Sequence, residues 1–161
     1  MTRRFEETGA IAGIRRILLF VLLTGMVGTG AELLFQQHVE EPSQLIPLVL
    51  IGVALLSLLW HLLQRGPAGL RALQITMVFF IAAALVGMYL HYSANVEFQR
   101  EMDPSLGGLN LFWKAMAAKT PPALAPGSMA QLGLIGLAYT YGHPALAGGS
   151  ERLRDNEESV T

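Results

Sequence analysis

The sequence predicts an all-α integral membrane protein, a bundle of four transmembrane helices with a short amphipathic outer helix between the third and fourth spans. Hydrophobic residues make up 52% of the 161 residues and charged residues only 14%, whereas a typical soluble domain carries about 25% charged residues. The mean hydropathy is +0.44. Four apolar runs, each near the ~20 residues that cross a bilayer as a helix, lie at 17–35, 45–63, 73–92 and 125–141.

The length of the chain gives room for one domain, which we assign to residues 1–147. The polar, charged sequence 148–161 is predicted to be a disordered cytoplasmic tail. The chain has no cysteine, which excludes disulfides, thiolate metal ligands and thiol catalysis. Its basic residues are dispersed, so nucleic-acid binding is not predicted.

The first run, 17–35, contains a single ionisable residue, Glu32. The run is longer than the usual signal-peptide core, so we expect it to be retained as a membrane span. Thr24, Gly28 and Glu32 recur at intervals of four residues, the spacing of a small-residue face that lets another helix approach closely. This pattern predicts that the Glu32 carboxylate points into the bundle.

The second and third runs have clear boundaries in the sequence. Pro42 and Pro47 precede and open the run 45–63, and we interpret both as part of a helix entrance. After the run 73–92, residues 93–102 contain no proline or glycine. They are predicted to continue the third helix until Asp103, since the following proline disfavours helix there.

The outer segment 93–124 is predicted to contain a second, shorter helix. Leu109, Phe112, Trp113 and Met116 are spaced to share one helical face. Two interpretations of this helix stay open: it lies in the membrane interface, or it caps the mouth of the bundle.

The fourth run, 125–141, is short and rich in small residues. We interpret it as a true span, with a re-entrant segment as the alternative. Ser128, Gly133 and Gly136 are expected to provide grooves for helix packing.

The basic residues predict the orientation. Eight of the eleven precede the first run, lie between the second and third, or follow the fourth, and three lie on the opposite side. By the positive-inside rule, both termini are cytoplasmic, and 37–44 and 93–124 face outward from the inner (plasma) membrane. The eight are Arg3, Arg4, Arg15, Arg16, Arg65, Arg71, Arg152 and Arg154, and the three are Arg100, Lys114 and Lys119.

Several polar residues gather near the predicted outer ends of the spans. Histidine and carboxylate groups suit a divalent transition metal or a proton relay. The candidate metal ligands are Glu32, His38, His91 and Glu97, and the candidates for a proton relay or for polar packing are Glu32, Asn95 and Glu101. Their spacing matches no specific metal motif, and a solvated acidic rim is the plainer interpretation.

A bis-histidine haem protein is a further alternative, since His61 and His143 lie near the inner side and His38 and His91 near the outer side. It is disfavoured because His143 directly precedes a proline and no helix carries both an inner and an outer histidine. Histidines at the membrane interface explain His61 and His143 more simply.

The predicted function is therefore that of a small polytopic membrane component without enzymatic activity. We interpret it as an accessory or assembly subunit that acts through helix packing and its outer face. The expected partners are the lipid bilayer and either another membrane protein or further copies of the same chain.

Overall fold

The computed structural model describes residues 2–35, 42–64, 66–118 and 124–146, and these ranges contain helices and no strand. The helices are α1 (Thr2–Phe35), α2 (Pro42–Gln64), α3 (Pro67–Met102), α4 (Gly108–Met116) and α5 (Leu124–Thr140). The all-α prediction is confirmed, and α1, α2 and α3 are each long and apolar enough to cross a membrane. The run 125–141 forms α5, a helix of 17 residues, and its crossing of the membrane stays a prediction.

Two helices differ from the predictions near their first residues. α1 begins at Thr2, before the predicted span that starts at 17, because residues 2–16 contain no proline that would end the helix. α2 begins at Pro42, and Pro47 lies inside the helix instead of at its entrance. Pro47 has no N–H group to donate to the carbonyl four residues earlier, so the first turns of α2 lack one helical hydrogen bond.

The end of α3 agrees with its prediction. The helix runs to Met102, and Asp103 has extended backbone angles of −147° and 94°. The Asp103 carboxylate accepts hydrogen bonds from the backbone N–H and the hydroxyl of Ser105, at 3.0 and 2.6 Å. These bonds lower the pKa of Asp103, and they hold the turn that leads into α4.

α3 is the central helix of the fold. It packs against α2, α4 and α5, whereas α1 packs against α5 and α2. The core between them is apolar, and its fully buried side chains include Leu22, Leu73, Met77 and Phe80. Side chains of α1 and α3 meet beside α5, where Leu22 and Met77 both lie against Gly136.

The predicted inward face of α1 is wrong. Thr24, Gly28 and Glu32 are exposed, whereas Leu22 and Met26 are fully buried. The buried residues lie two positions away along the helix, which is about 200° around its axis. The Leu22 side chain lies beside Gly136 of α5, so a large side chain of α1 packs against a small residue of the neighbouring helix, and this close packing determines which face turns inward.

The small residues of α5 pack against α3 as predicted. A β-carbon built on Gly133 would lie 2.8 Å from the Met77 carbonyl oxygen, and one built on Gly136 would overlap the Met77 side chain. Glycine at these positions therefore lets the two backbones approach closely, as small residues do between membrane helices.

Candidate functional site

The predicted outer site residues lie on two helices that are not neighbours. Glu32 is exposed near the end of α1, and His91, Glu97 and Glu101 lie on α3. In the part of the chain that the structure describes, no three His, Asp or Glu side chains come together as a metal site would require. His38 lies outside the described residues, so the metal set stays a prediction, which elemental analysis of the purified protein would test.

Asn95, a predicted relay residue, joins α3 to α4. Its side-chain amide donates a hydrogen bond of 3.1 Å to the Ala115 carbonyl. One helical turn earlier, the Tyr92 ring contacts Phe112, with 5.9 Å between the ring centroids. A side chain that bonds a helical carbonyl from a neighbouring helix fixes the two helices relative to each other, so Asn95 has a clear structural role.

The buried face of α4 is the opposite of the one predicted to be apolar. Leu111 and Ala115 are buried against α3, whereas Leu109 and Trp113 are 76% and 65% exposed. Both faces of this helix are therefore apolar. The face used for packing carries the smaller alanine, which brings the α4 backbone close enough for the hydrogen bond from Asn95.

A second polar cluster, which the sequence analysis did not predict, lies at the other end of the bundle. His61, near the end of α2, and His143, just after α5, meet edge-to-face with ring centroids 5.2 Å apart. Tyr139 of α5 contacts the same His143 ring at 5.8 Å. Arg15 of α1 donates hydrogen bonds to the carbonyls of Tyr141 and Gly142. We call these four side chains, Arg15, His61, Tyr139 and His143, the inner cluster.

Local backbone geometry brings the inner cluster together. Gly142 has a φ of +56°, a left-handed conformation that glycine adopts without steric cost. It turns the chain after α5 back across the end of the bundle. At Gly69, α3 approaches α2 so closely that a β-carbon would lie 2.7 Å from the His61 backbone nitrogen. The close approach at Gly69 holds the end of α2 where the His143 ring can reach it.

Each histidine ring has a defined hydrogen-bond partner at Nδ1. The His61 Nδ1 lies 3.2 Å from the Gly66 carbonyl oxygen, and a carbonyl only accepts, so this nitrogen carries the hydrogen. The His143 Nδ1 instead accepts from the Ala145 backbone N–H at 3.2 Å. Burial lowers the pKa of His143 below its ordinary value of 6.5, and the neighbouring His61 and Arg15 lower it further.

This geometry adds a direct contact between His61 and His143 that the interpretation as interfacial histidines did not include. His61 is only 8% exposed, and His143 is half-buried against it. Nor does the pair fit bis-histidine haem ligation. The two rings contact each other directly, and the His143 Nδ1 already accepts a hydrogen, which places the hydrogen of the neutral ring on Nε2 instead of leaving that nitrogen open to iron.

The sequence contained only weak signals for the inner cluster. Glycine, histidine and proline follow one another directly after α5, which marks a turn, and His61 lies near the end of a span. Neither signal shows that the two positions meet. Arg15 and Tyr139 carry no local signal. Arg15 has the position of an ordinary basic residue on the cytoplasmic side of the first span.

Comparison of the chain with protein-family models, with curated proteins and with solved structures finds no match.

Proposed function

We propose that this protein is a four-span accessory or assembly subunit of the inner membrane, with both termini cytoplasmic. In this proposal it has no enzymatic activity and binds a partner protein through the part of α3 and α4 that extends beyond the membrane. We call that part, residues 93–116, the α3–α4 projection. Three apolar helices support membrane insertion, and the distribution of basic residues supports the orientation.

The length of α3 supports a projection out of the membrane. Its 36 residues correspond to about 54 Å at 1.5 Å per residue, whereas the hydrocarbon layer is only about 30 Å thick. Only two residues, 65 and 66, separate the end of α2 from the start of α3. So short a turn keeps its start near the membrane surface, and the excess length lies at the Met102 end.

The contacts of α4 support a rigid projection. Asn95 and Tyr92 of α3 hold α4 by a hydrogen bond and a ring contact. Leu111 and Ala115 are buried in the same contact. A helix that is braced along its side loses little conformational entropy when a partner binds, which favours tight association.

The exposed pair Phe98 and Met102 carries the proposal. These side chains are 58% and 72% exposed, lie four residues apart on one face of α3, and are beyond the predicted end of the span at residue 92. Large apolar side chains exposed to water and surrounded by charged residues are typical of protein-binding surfaces. Here Glu101, three residues after Phe98 on the same side of α3, is the charged residue beside the pair.

The exposed face of α1 supports an additional contact inside the membrane. No atom lies within 4 Å of a β-carbon built on Gly28, and Thr24, one turn earlier, is also exposed. Small residues on an exposed face of a membrane helix allow another helix to approach closely. A partner subunit that also packs here would explain why Gly28 has no contact within the chain, whereas Gly133 and Gly136 of α5 lie against α3.

Site-specific photocrosslinking in intact cells tests the proposal. A photoreactive phenylalanine analogue is placed at Phe98, and in a matched control at Phe79, which is equally exposed but lies in the middle of α3. We expect Phe98 to give one protein adduct of discrete mass and Phe79 to give none. An adduct of twice the 17.4 kDa chain mass would identify a second copy as the partner.

Purification in mild detergent gives an independent measurement. We expect the wild-type chain to elute within a larger complex and the Phe98→Glu/Met102→Glu variant to elute alone. Glu101→Gln, which changes a neighbouring exposed residue, is the control and should retain the complex. A wild-type chain that elutes alone, together with the absence of any Phe98 adduct, would contradict the proposal.

A further inference from the structure

The segment after α5 is held to the bundle by contacts that depend on a neutral histidine. Residues 141–146 turn at Gly142 and place Ala145 and Leu146 against the core. Two backbone hydrogen bonds hold the segment: the His143 backbone N–H donates to the Thr140 carbonyl, and the Leu146 backbone N–H donates to the His143 carbonyl. Because this is a short stretch with few apolar contacts, it can open locally at much lower cost than the whole bundle can unfold.

We propose that the segment 141–146 is a proton-sensitive latch, closed while His143 is neutral and opened when its ring gains a proton. This inference is independent of the partner surface on the α3–α4 projection. It rests on the hydrogen bonds at the two rings and on the charges around them.

The hydrogen bonds of His143 require the neutral ring. Its Nδ1 accepts from the Ala145 N–H, and an accepting nitrogen carries no hydrogen. In the charged ring both nitrogens carry hydrogen, so Nδ1–H and the Ala145 N–H would be two donors directed at each other. Protonation of His143 therefore removes the bond that folds residues 143–145 onto themselves.

The hydrogen bond of His61 holds its ring in place. Its Nδ1–H is donated to the Gly66 carbonyl, so the segment is fastened to α2 through the contact of this ring with His143, with 5.2 Å between the ring centroids. A change at His143 therefore acts directly on the contact between the segment and α2.

The surroundings of His143 resist a positive charge. Among the described residues, α1 contributes Arg15, α2 contributes His61 and α5 contributes Tyr139 to its environment. Arg71, the basic residue of α3 at this end, is exposed. Arg15 is especially relevant, since it bonds the carbonyls of Tyr141 and Gly142 and so remains fixed beside the ring. A proton on His143 adds a second positive charge to this site in a half-buried environment.

The direction of the pH dependence follows from the lowered pKa of His143. The closed state binds the proton less well than the open state, in which the ring regains its ordinary pKa of 6.5. Closure is therefore fully favoured above about pH 6.5 and is lost as the pH falls through the lower pKa of the closed state. In the titration range, the ratio of open to closed protein rises by up to about tenfold per pH unit for one proton.

Distance measurements between two spin labels test the latch in the full-length protein in lipid nanodiscs. Tyr141→Cys and Ala68→Cys provide unique attachment sites, because the chain has no cysteine and both side chains are exposed. Between about pH 8 and about pH 5, we expect one narrow distance distribution to be replaced by a broad one. A label pair at Ala68→Cys and Ser105→Cys, at the two ends of α3, should show no change.

Histidine variants assign the response to His143. His143→Gln should abolish the pH dependence, whereas His61→Asn, which removes the ring contact with His143, should weaken closure at every pH. The matched control is His91→Gln, at the opposite end of the bundle, which should respond like the wild type. A wild-type distribution that is unchanged across this pH range overturns the proposal, and so does a response that survives in His143→Gln.

Nitrogen NMR of the histidine rings in the wild-type protein needs no variant at the latch. At about pH 8, we expect the His143 signals of a neutral ring with hydrogen on Nε2, and those of His61 with hydrogen on Nδ1. The His143 signals should change together with the distance distribution. The reverse assignment for His143, or a titration above 6.5, would overturn the proposal even if the variants fail to fold.

Discussion

Gly133 of α5 lies directly against the backbone of Met77 in α3. A β-carbon on Gly133 would lie 2.8 Å from the Met77 carbonyl oxygen and 2.7 Å from Cγ1 of Ile81. A carbonyl within a helix cannot move without disturbing the helix itself, so this contact sets the distance between the two helices that make the most extensive contact in the fold.

Gly133→Ala is therefore expected to destabilise the bundle. Forcing an added methyl group into a packed contact costs about 1–3 kcal/mol, which exceeds the gain of roughly 1 kcal/mol in helix propensity from replacing glycine with alanine. The free energy of unfolding is measured in mixed detergent micelles, with circular dichroism as the probe of helix content. Gly28→Ala, where no atom lies within 4 Å, is the matched control and should be neutral or slightly stabilising. Equal stability of the two variants would contradict this account of the α3–α5 contact.

Asn95→Ala is expected to loosen α4 without unfolding the spans. The variant loses one hydrogen bond to a backbone carbonyl, worth about 1 kcal/mol, so amide hydrogen exchange should become faster in residues 108–116. Exchange in α2 and α5 should be unchanged. Ser93→Ala, at an exposed position on the same helix, provides the comparison and should not affect α4.

Trp113 is expected to lie at the membrane interface. Its side chain is exposed, and its neighbour Phe112 contacts Tyr92, the last residue of the predicted third span. In a Trp60→Phe background, Trp113 is the single tryptophan. Its fluorescence should be quenched more by lipids brominated near the headgroup than by lipids brominated near the bilayer centre. The absence of quenching by either lipid would indicate that α4 caps the bundle in water.

The four-span arrangement predicts which positions can be labelled from outside the cell. Ser105→Cys, in the turn between α3 and α4, should react in intact cells with a thiol reagent that does not cross membranes. Ala68→Cys and Ser159→Cys should react only after permeabilisation. Labelling of Ser159→Cys in intact cells, with Ala68→Cys still protected, would show that α5 does not cross the membrane.

Most helices of this protein can be predicted from the sequence because the signals are local. The lengths of the apolar runs predict α2 and α3, and Asp103 followed by proline predicts the end of α3 at Met102. Local signals do not show which side of a helix faces its neighbours when several sides are apolar. This is why the inward face of α1 was predicted wrongly and why the face of α4 that packs against α3 was not predicted.

The sequence by itself determined the all-helical class, the three long apolar helices and the helical extension of α3, because length, apolarity and proline placement act over a few neighbouring residues. Only the tertiary structure decided that α1 packs mainly against α5 and α2 while α3 packs against α2, α4 and α5. It also decided that His61 meets His143. That contact depends on the close approach of α3 to α2 at Gly69 and on the turn at Gly142. These two features lie far apart in the sequence, so no local pattern predicts their combined effect.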